Sequence, residues 1–203
     1  MARRKTAKKP YHHGNLREHL IAAALEIIAE SGTGALSLRE AARRAGVSHT
    51  APYRHFDSKA ALIAAVAGEG FRALYDAVEA AMDDAVDETV VRLGVSGVAY
   101  VKFAARHPAH FRVMFGPDCD LDDYPESREV AQAAFQQLLD AVIACQEAGA
   151  LRKDNPLALA RVAWSQVHGL SALIVDGKID ASSDKEIEDL ALFASRVLFH
   201  GMA

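Results

Sequence analysis

Two cysteines are too few for a disulfide framework. Cys119 and Cys145 show no CxxC or other paired spacing, so both are expected as reduced thiols and a zinc ribbon is excluded. Long apolar runs are missing too: the longest, such as AALIAAVAG from Ala60, stop far short of the roughly 20 residues that cross a bilayer. The stretch LIAAALEIIA is interrupted by Glu26 and reads as an amphipathic helix, not as a secretory core, so a cytoplasmic protein with no membrane partner is expected. Only 6 prolines and 13 glycines occur in 203 residues, and 51% of the chain is hydrophobic, which excludes a disordered protein. No stretch alternates as a strand does. The helical period dominates, and the fold class expected is all-α with about nine helices.

Net charge is −4, but the signs are segregated. Residues 1–59 hold 11 Lys/Arg against 5 Asp/Glu, a net +6, while residues 60–203 hold 12 against 22, a net −10. Contact with a polyanion is therefore expected at the N-terminal end, with a solvated charged face as the alternative. The domains expected are a basic arm over 1–13, a helix-turn-helix domain over 14–60 and a larger helical domain over 61–203.

The first third is the best punctuated. NLRE at Asn15–Glu18 and SLRE at Ser37–Glu40 each set an N-cap residue three positions before a glutamate, the arrangement that satisfies orphan amides at a helix start. The first helix is expected from about Asn15 to Ser31, with Leu16, Leu20, Ala24, Ile27 and Ile28 on one stripe. The second is short, about Ser37 to Ala45, and Gly46 allows a tight turn. A third helix is expected from about Ser48. Proline is tolerated only in a first helical turn, which fixes that start upstream of Pro52 and exposes His49, Thr50, Ala51 and Tyr53. Asp57 or Ser58 caps a fourth helix to about Asp84, and longer helices follow near 87–106, 108–115, 125–148, 156–176 and 184–200.

LSLREAARRAGVSHTAPYRHFDSKAALIAAV resembles the DNA-binding domain of the TetR family of transcriptional regulators over about residues 14–66. YHHGNLR before the first helix and Trp164, His168 and Gly169 in WSQVHG are similar to the subgroup with a WHG-type C-terminal domain. The resemblance implies a homodimer that reads a palindromic operator in double-stranded DNA, usually as a repressor, and is released by a small-molecule effector held in the C-terminal domain. Activation is the alternative sign, since sign depends on operator placement.

On the matching positions, the resemblance makes Arg39 a base reader, and a guanidinium suits the O6 and N7 acceptors of guanine. A phosphate contact or a solvated partner for Glu40 is the alternative. His49, Thr50, Ala51 and Tyr53 match base-facing positions. Tyr53 and His55 also suit phosphates, Lys59 matches a phosphate-binding lysine, and Ser37 and Ser48 offer hydroxyls and amides to the same strand. Phe56 is expected in the core. Thr50-Ala51-Pro52 stands where many relatives carry glycine and leucine, so operator identity does not transfer. The arm ARRKTAKKPYHH lies along phosphates or in a minor groove, or is only a solubilising tail.

Other constellations are weaker. DCDLDDYPESRE has acids at calcium-loop spacing, but Asp123 stands where the sharp turn needs glycine. His107 and His110, three apart, suit core or capping roles better than zinc, and no metal or cofactor is expected. GVSG at Gly94 lacks nucleophile-elbow spacing and GTG at Gly32 follows a helix, so an enzyme is not expected. Tyr100, Phe103, His107, Phe111, Met114, Phe115, Trp164 and His168 are candidates to line the effector pocket, with plain core as each one's alternative. The helices near 156–176 and 184–200 are the expected dimer interface, as in the family. A ligand or protein-interaction module with a vestigial helix-turn-helix is the competing class, and the retained Arg39, Tyr53, His55 and Lys59 argue against it.

Overall fold

The structure, a computed structural model, describes residues 16–85 and 88–202. Asn15, the arm and YHH at 11–13 lie outside the described residues. Among those described, eight α-helices and two 3-10 turns form and no strand does. The chain divides into two compact units, Met1–Leu62 and Ile63–Ala203, with the division inside the helix over Lys59–Asp83.

In the first unit α1 (Leu16–Ser31) buries Leu16, Leu20, Ile21, Ala24, Ile27 and Ile28, the stripe that its 3.6-residue period predicts. A 3-10 turn over Thr33–Ala35 leads into α2 (Leu38–Arg44). Ser37 Oγ caps α2 by accepting the Glu40 amide at 3.1 Å. The reciprocal half of the capping box gives way to an ion pair, because Glu40 Oε1 takes Arg43 Nη2 at 2.5 Å. Gly46, at φ +71°, ends α2: its amide bonds Arg43 O and the Val47 amide bonds Ala42 O, the Schellman pairing that satisfies the last carbonyls. Arg44 ties α2 to α1 through a bidentate contact with Glu30 at 2.7 and 2.6 Å.

The helix expected from Ser48 does not form as an α-helix. Pro52 has no amide to offer the Ser48 carbonyl, which takes the Ala51 amide at 3.0 Å instead. The tighter pattern continues as the Arg54 amide bonds Ala51 O at 3.3 Å and the His55 amide bonds Pro52 O at 2.9 Å, giving a 3-10 turn over Pro52–Arg54. Eight helices thus replace nine. Pro52 and Phe56 are buried, which holds the turn down and leaves the residues around it in solvent. Arg17 covers the Phe56 ring at 5.8 Å.

Ser58 Oγ accepts the Ala61 amide at 3.0 Å and caps α3 (Lys59–Asp83). In the second unit follow α4 (Thr89–Arg106), α5 (Pro108–Met114), α6 (Pro125–Glu147), α7 (Pro156–Val175) and α8 (Asp184–Met202). Proline opens α5, α6 and α7, where its missing donor costs nothing. Helix α4 is central and packs on α6, α7 and α8. Leu93, Val142, Cys145, Leu151, Leu159 and Ala160 form a common buried cluster. Contrary to the count of apolar runs, α7 is long and apolar enough as a whole to cross a bilayer. Within its unit it packs on α4, α6 and α8 and carries Arg161, Gln166 and His168.

Candidate DNA-reading surface and effector cavity

Electrostatics sorts four arginines of the first unit, Arg39, Arg43, Arg44 and Arg54, into two sets. Arg43 and Arg44 are spent inside the unit on Glu40 and on Glu30 with Glu26. Arg44 holds the Glu30 carboxyl below its usual range, chiefly through their hydrogen bonds. Arg39 and Arg54 are exposed and form no ion pair or side-chain hydrogen bond among the described residues. Arg39 opens α2 and Arg54 sits in the 3-10 turn. Nothing in the sequence singled out Arg54, since the family pattern carried attention to Tyr53 and His55.

Around these cations Ser37, Ser48, His49, Thr50, Tyr53 and His55 are exposed and Ala51 is half-buried. The hydroxyls of Ser48 and Thr50 lie 3.3 Å apart. Lys59 is half-buried and donates to Thr33 O at 2.7 Å, so it also pins α3 to the preceding turn. An ammonium has three donors, and two remain for an anion. The surface is a display of donors and small methyl groups on a buried base formed by Leu38, Ala41, Ala42, Pro52 and Phe56.

In the second unit a cavity of about 670 Å³ is bounded by α3, α4, α6, α7 and α8. That volume suits a small organic ligand. Of the eight pocket candidates, Tyr100, Phe115 and Trp164 line it. Phe103, Phe111 and Met114 are buried but outside its wall, and His107 is exposed beside the Phe103 ring. His168 is set behind the wall, its ring 4.6 Å from that of Phe115. Helical spacing placed these residues on the right helices but could not tell which side of each faces the void. The wall also holds Phe71, Leu74, Phe135, Gln166, Arg128 and Arg161, none of which spacing had marked.

Trp164, Tyr100 and His168 form a polar chain beside the cavity. The indole N–H of Trp164 donates to Tyr100 Oη at 3.3 Å. An indole can only donate, so the arrangement that also uses the Tyr100 proton sends it to His168 Nδ1, 2.9 Å away, and assigns that imidazole the Nε2–H tautomer. Burial keeps both groups neutral: it pushes the Tyr100 hydroxyl well above its ordinary range and lowers His168 below its own. His110 is lowered as well, by burial and by His107. No three His, Cys, Asp or Glu side chains among the described residues gather as a metal-holding group. Burial raises both thiols, Cys119 and Cys145.

Residues 20–66 match the family model described as bacterial regulatory proteins, tetR family, and residues 93–198 match that of the tetracyclin repressor-like C-terminal domain. The chain belongs to the TetR family of transcriptional regulators. Solved structures agree along nearly the whole chain. A protein of unknown function from Rhodococcus sp. RHA1 is 33% identical with a TM-score of 0.83, over 97% of this chain and 100% of that one. A tetR-family regulatory protein from Rhodococcus RHA1 is 22% identical with a TM-score of 0.76, over 94% and 98%. FadR from Bacillus subtilis, solved in complex with stearoyl-CoA, shares the fold at 14% identity with a TM-score of 0.76, over 92% and 99%. This TetR-family protein is thus a ligand-responsive, DNA-binding transcriptional regulator, not an enzyme. These matches do not confirm the WHG subgroup.

Proposed function

We propose that this regulator is a cytoplasmic homodimeric repressor that holds a palindromic operator and is released when a small molecule fills the cavity of the second unit. Residues 14–60 serve as the DNA-reading domain and 61–203 as the effector and dimerisation domain. The observation that carries the reading is one chain holding both an exposed donor surface centred on Arg39, which has no ion pair among the described residues, and an apolar cavity of about 670 Å³.

In this reading Arg39 bonds a guanine, His49, Thr50 and Ala51 face base edges, and Tyr53 meets either a base or a phosphate. Ser37, Ser48, His55, Lys59 and the basic arm bind phosphates, and Arg54 joins them. The dimer is supported by apolar side chains left in solvent on the last two helices: Val162 and Leu173 on α7, and Phe193 and Val197 on α8, the latter two each 59% exposed. A two-fold axis would bury these side chains against their own copies. A small effector is also supported by the stearoyl-CoA complex of the similarly folded FadR.

The test is a selection of the purified protein on a randomised duplex library at about 0.15 M salt, where non-specific binding is weak. The expected result is an enriched inverted repeat. Folded, ligand-free protein that enriches nothing would remove the operator reading, and a monomer in light scattering at micromolar concentration would remove the dimer.

A further inference from the structure

The cavity walls say more about the occupant than that it is small. Phe71, Leu74, Val78 and Met82 line the cavity from successive turns of α3, a span of about 16 Å at 1.5 Å per residue. Facing aromatic rings make the interior apolar: Phe135 and Phe115 stand 5.9 and 6.2 Å from the Trp164 ring. Such a trough suits an extended chain better than a compact polar molecule.

The charged residues at its edge are set apart by where they stand: Arg72 and Arg196 also lack an acid partner among the described residues, but they do not line the cavity. Arg92, Arg106, Arg112 and Arg152 each reach an aspartate within 4.0 Å. Arg128 and Arg161, which line the cavity and are exposed, do not. Arg128 donates only to the Asp122 carbonyl, at 3.2 Å, and the guanidinium of Arg161 makes no hydrogen bond or ion pair among the described residues. In a segment of net charge −10, two arginines without acid partners on one apolar cavity are positioned to take an anion from outside.

We propose that the cavity takes a long unbranched acyl chain ending in an anion, the chain lying against the α3 and aromatic walls and the head paired with Arg161 and Arg128. A free fatty carboxylate and an acyl thioester on a phosphate-bearing carrier share that chemistry. The acidic surroundings favour the single charge of the carboxylate. This rests on the cavity being the effector site.

Trp164 is the chain's one tryptophan and lies on the wall, so intrinsic fluorescence reads cavity occupancy directly. The full chain is titrated, below micelle concentrations, with palmitate, hexadecanol, hexadecyltrimethylammonium and palmitoyl-CoA. Palmitate is expected to saturate the signal with at least tenfold higher affinity than the alcohol, and the cation to bind more weakly still. The double variant Arg128→Ala with Arg161→Ala, at two exposed positions, should lose that tenfold preference while keeping alcohol binding, which also shows that the cavity remains folded. Tighter binding of palmitoyl-CoA with the same loss in the double variant supports the thioester as source. Equal affinity for palmitate and hexadecanol, an unchanged preference in the double variant, or no saturable signal from any acyl probe would overturn the proposal. Release of the selected operator is followed separately: palmitate that binds without releasing DNA counts against the effector reading and leaves the ligand assignment standing. An operator released only by some other molecule does the reverse.

Discussion

Replacing Tyr100 by phenylalanine removes one oxygen and two hydrogen bonds, the one received from Trp164 Nε1 at 3.3 Å and the one given to His168 Nδ1 at 2.9 Å. The ring stays and the packing with Phe111 and Phe115 is kept. Each bond contributes about 0.5–1.5 kcal/mol net, with the longer indole bond at the lower end, so the expected loss is about 1–3 kcal/mol. For a chain of this length each kcal/mol lowers the midpoint by roughly 2–4 °C, and thermal and urea unfolding followed by circular dichroism measure it. A second readout separates the hydrogen-bond argument from a general loss of packing. The Tyr100 hydroxyl bonds the neutral form of His168, so its removal should raise the His168 titration midpoint in an NMR experiment. Unchanged stability together with an unmoved His168 midpoint would refute the assigned chain of donors.

Four further outcomes are expected. Stability should fall as pH drops below about 6.5, because His168 is lowered in the fold and the unfolded chain then takes a proton that the folded one does not; it should be flat above that pH, and urea unfolding of His168→Gln against the parent isolates the effect. Gly116→Ala should destabilise by about 3 kcal/mol or more, because its new Cβ would run into the Arg112 carbonyl oxygen, a backbone atom that cannot swing aside; a urea midpoint within error of the parent would contradict this. Gln166→Met removes a buried acceptor with no partner and should leave the ligand-free protein as stable or about 1 kcal/mol more stable in the same assay. Arg39→Ala should weaken binding to the selected operator by about 1–3 kcal/mol in a fluorescence anisotropy titration and relax preference at one base position, whereas loss of affinity without loss of preference would reassign Arg39 to a phosphate.

Local rules in the chain fixed the helices and their ends. The stripe from Leu16 to Ile28, the Ser37 cap, the Gly46 turn and the prolines opening α5, α6 and α7 all act within one or two turns of backbone, so residue order alone specifies them. The exposed display from Ser37 to Tyr53 was legible for the same reason, and the family pattern gave it a use. Pro52 was legible as punctuation but not in its result, because whether a chain closes α or 3-10 turns depends on what buries it, here the common core of Pro52 and Phe56. The cavity belongs wholly to tertiary structure. Whether Trp164 faces a void while Phe111 and Met114 face packed neighbours is decided by how five helices cross, and no helix contains that information. Pairing is likewise a matter of space: Arg44 finds Glu30 fourteen residues away while Arg161 finds no acid among the described residues, and a formal charge count treats the two alike.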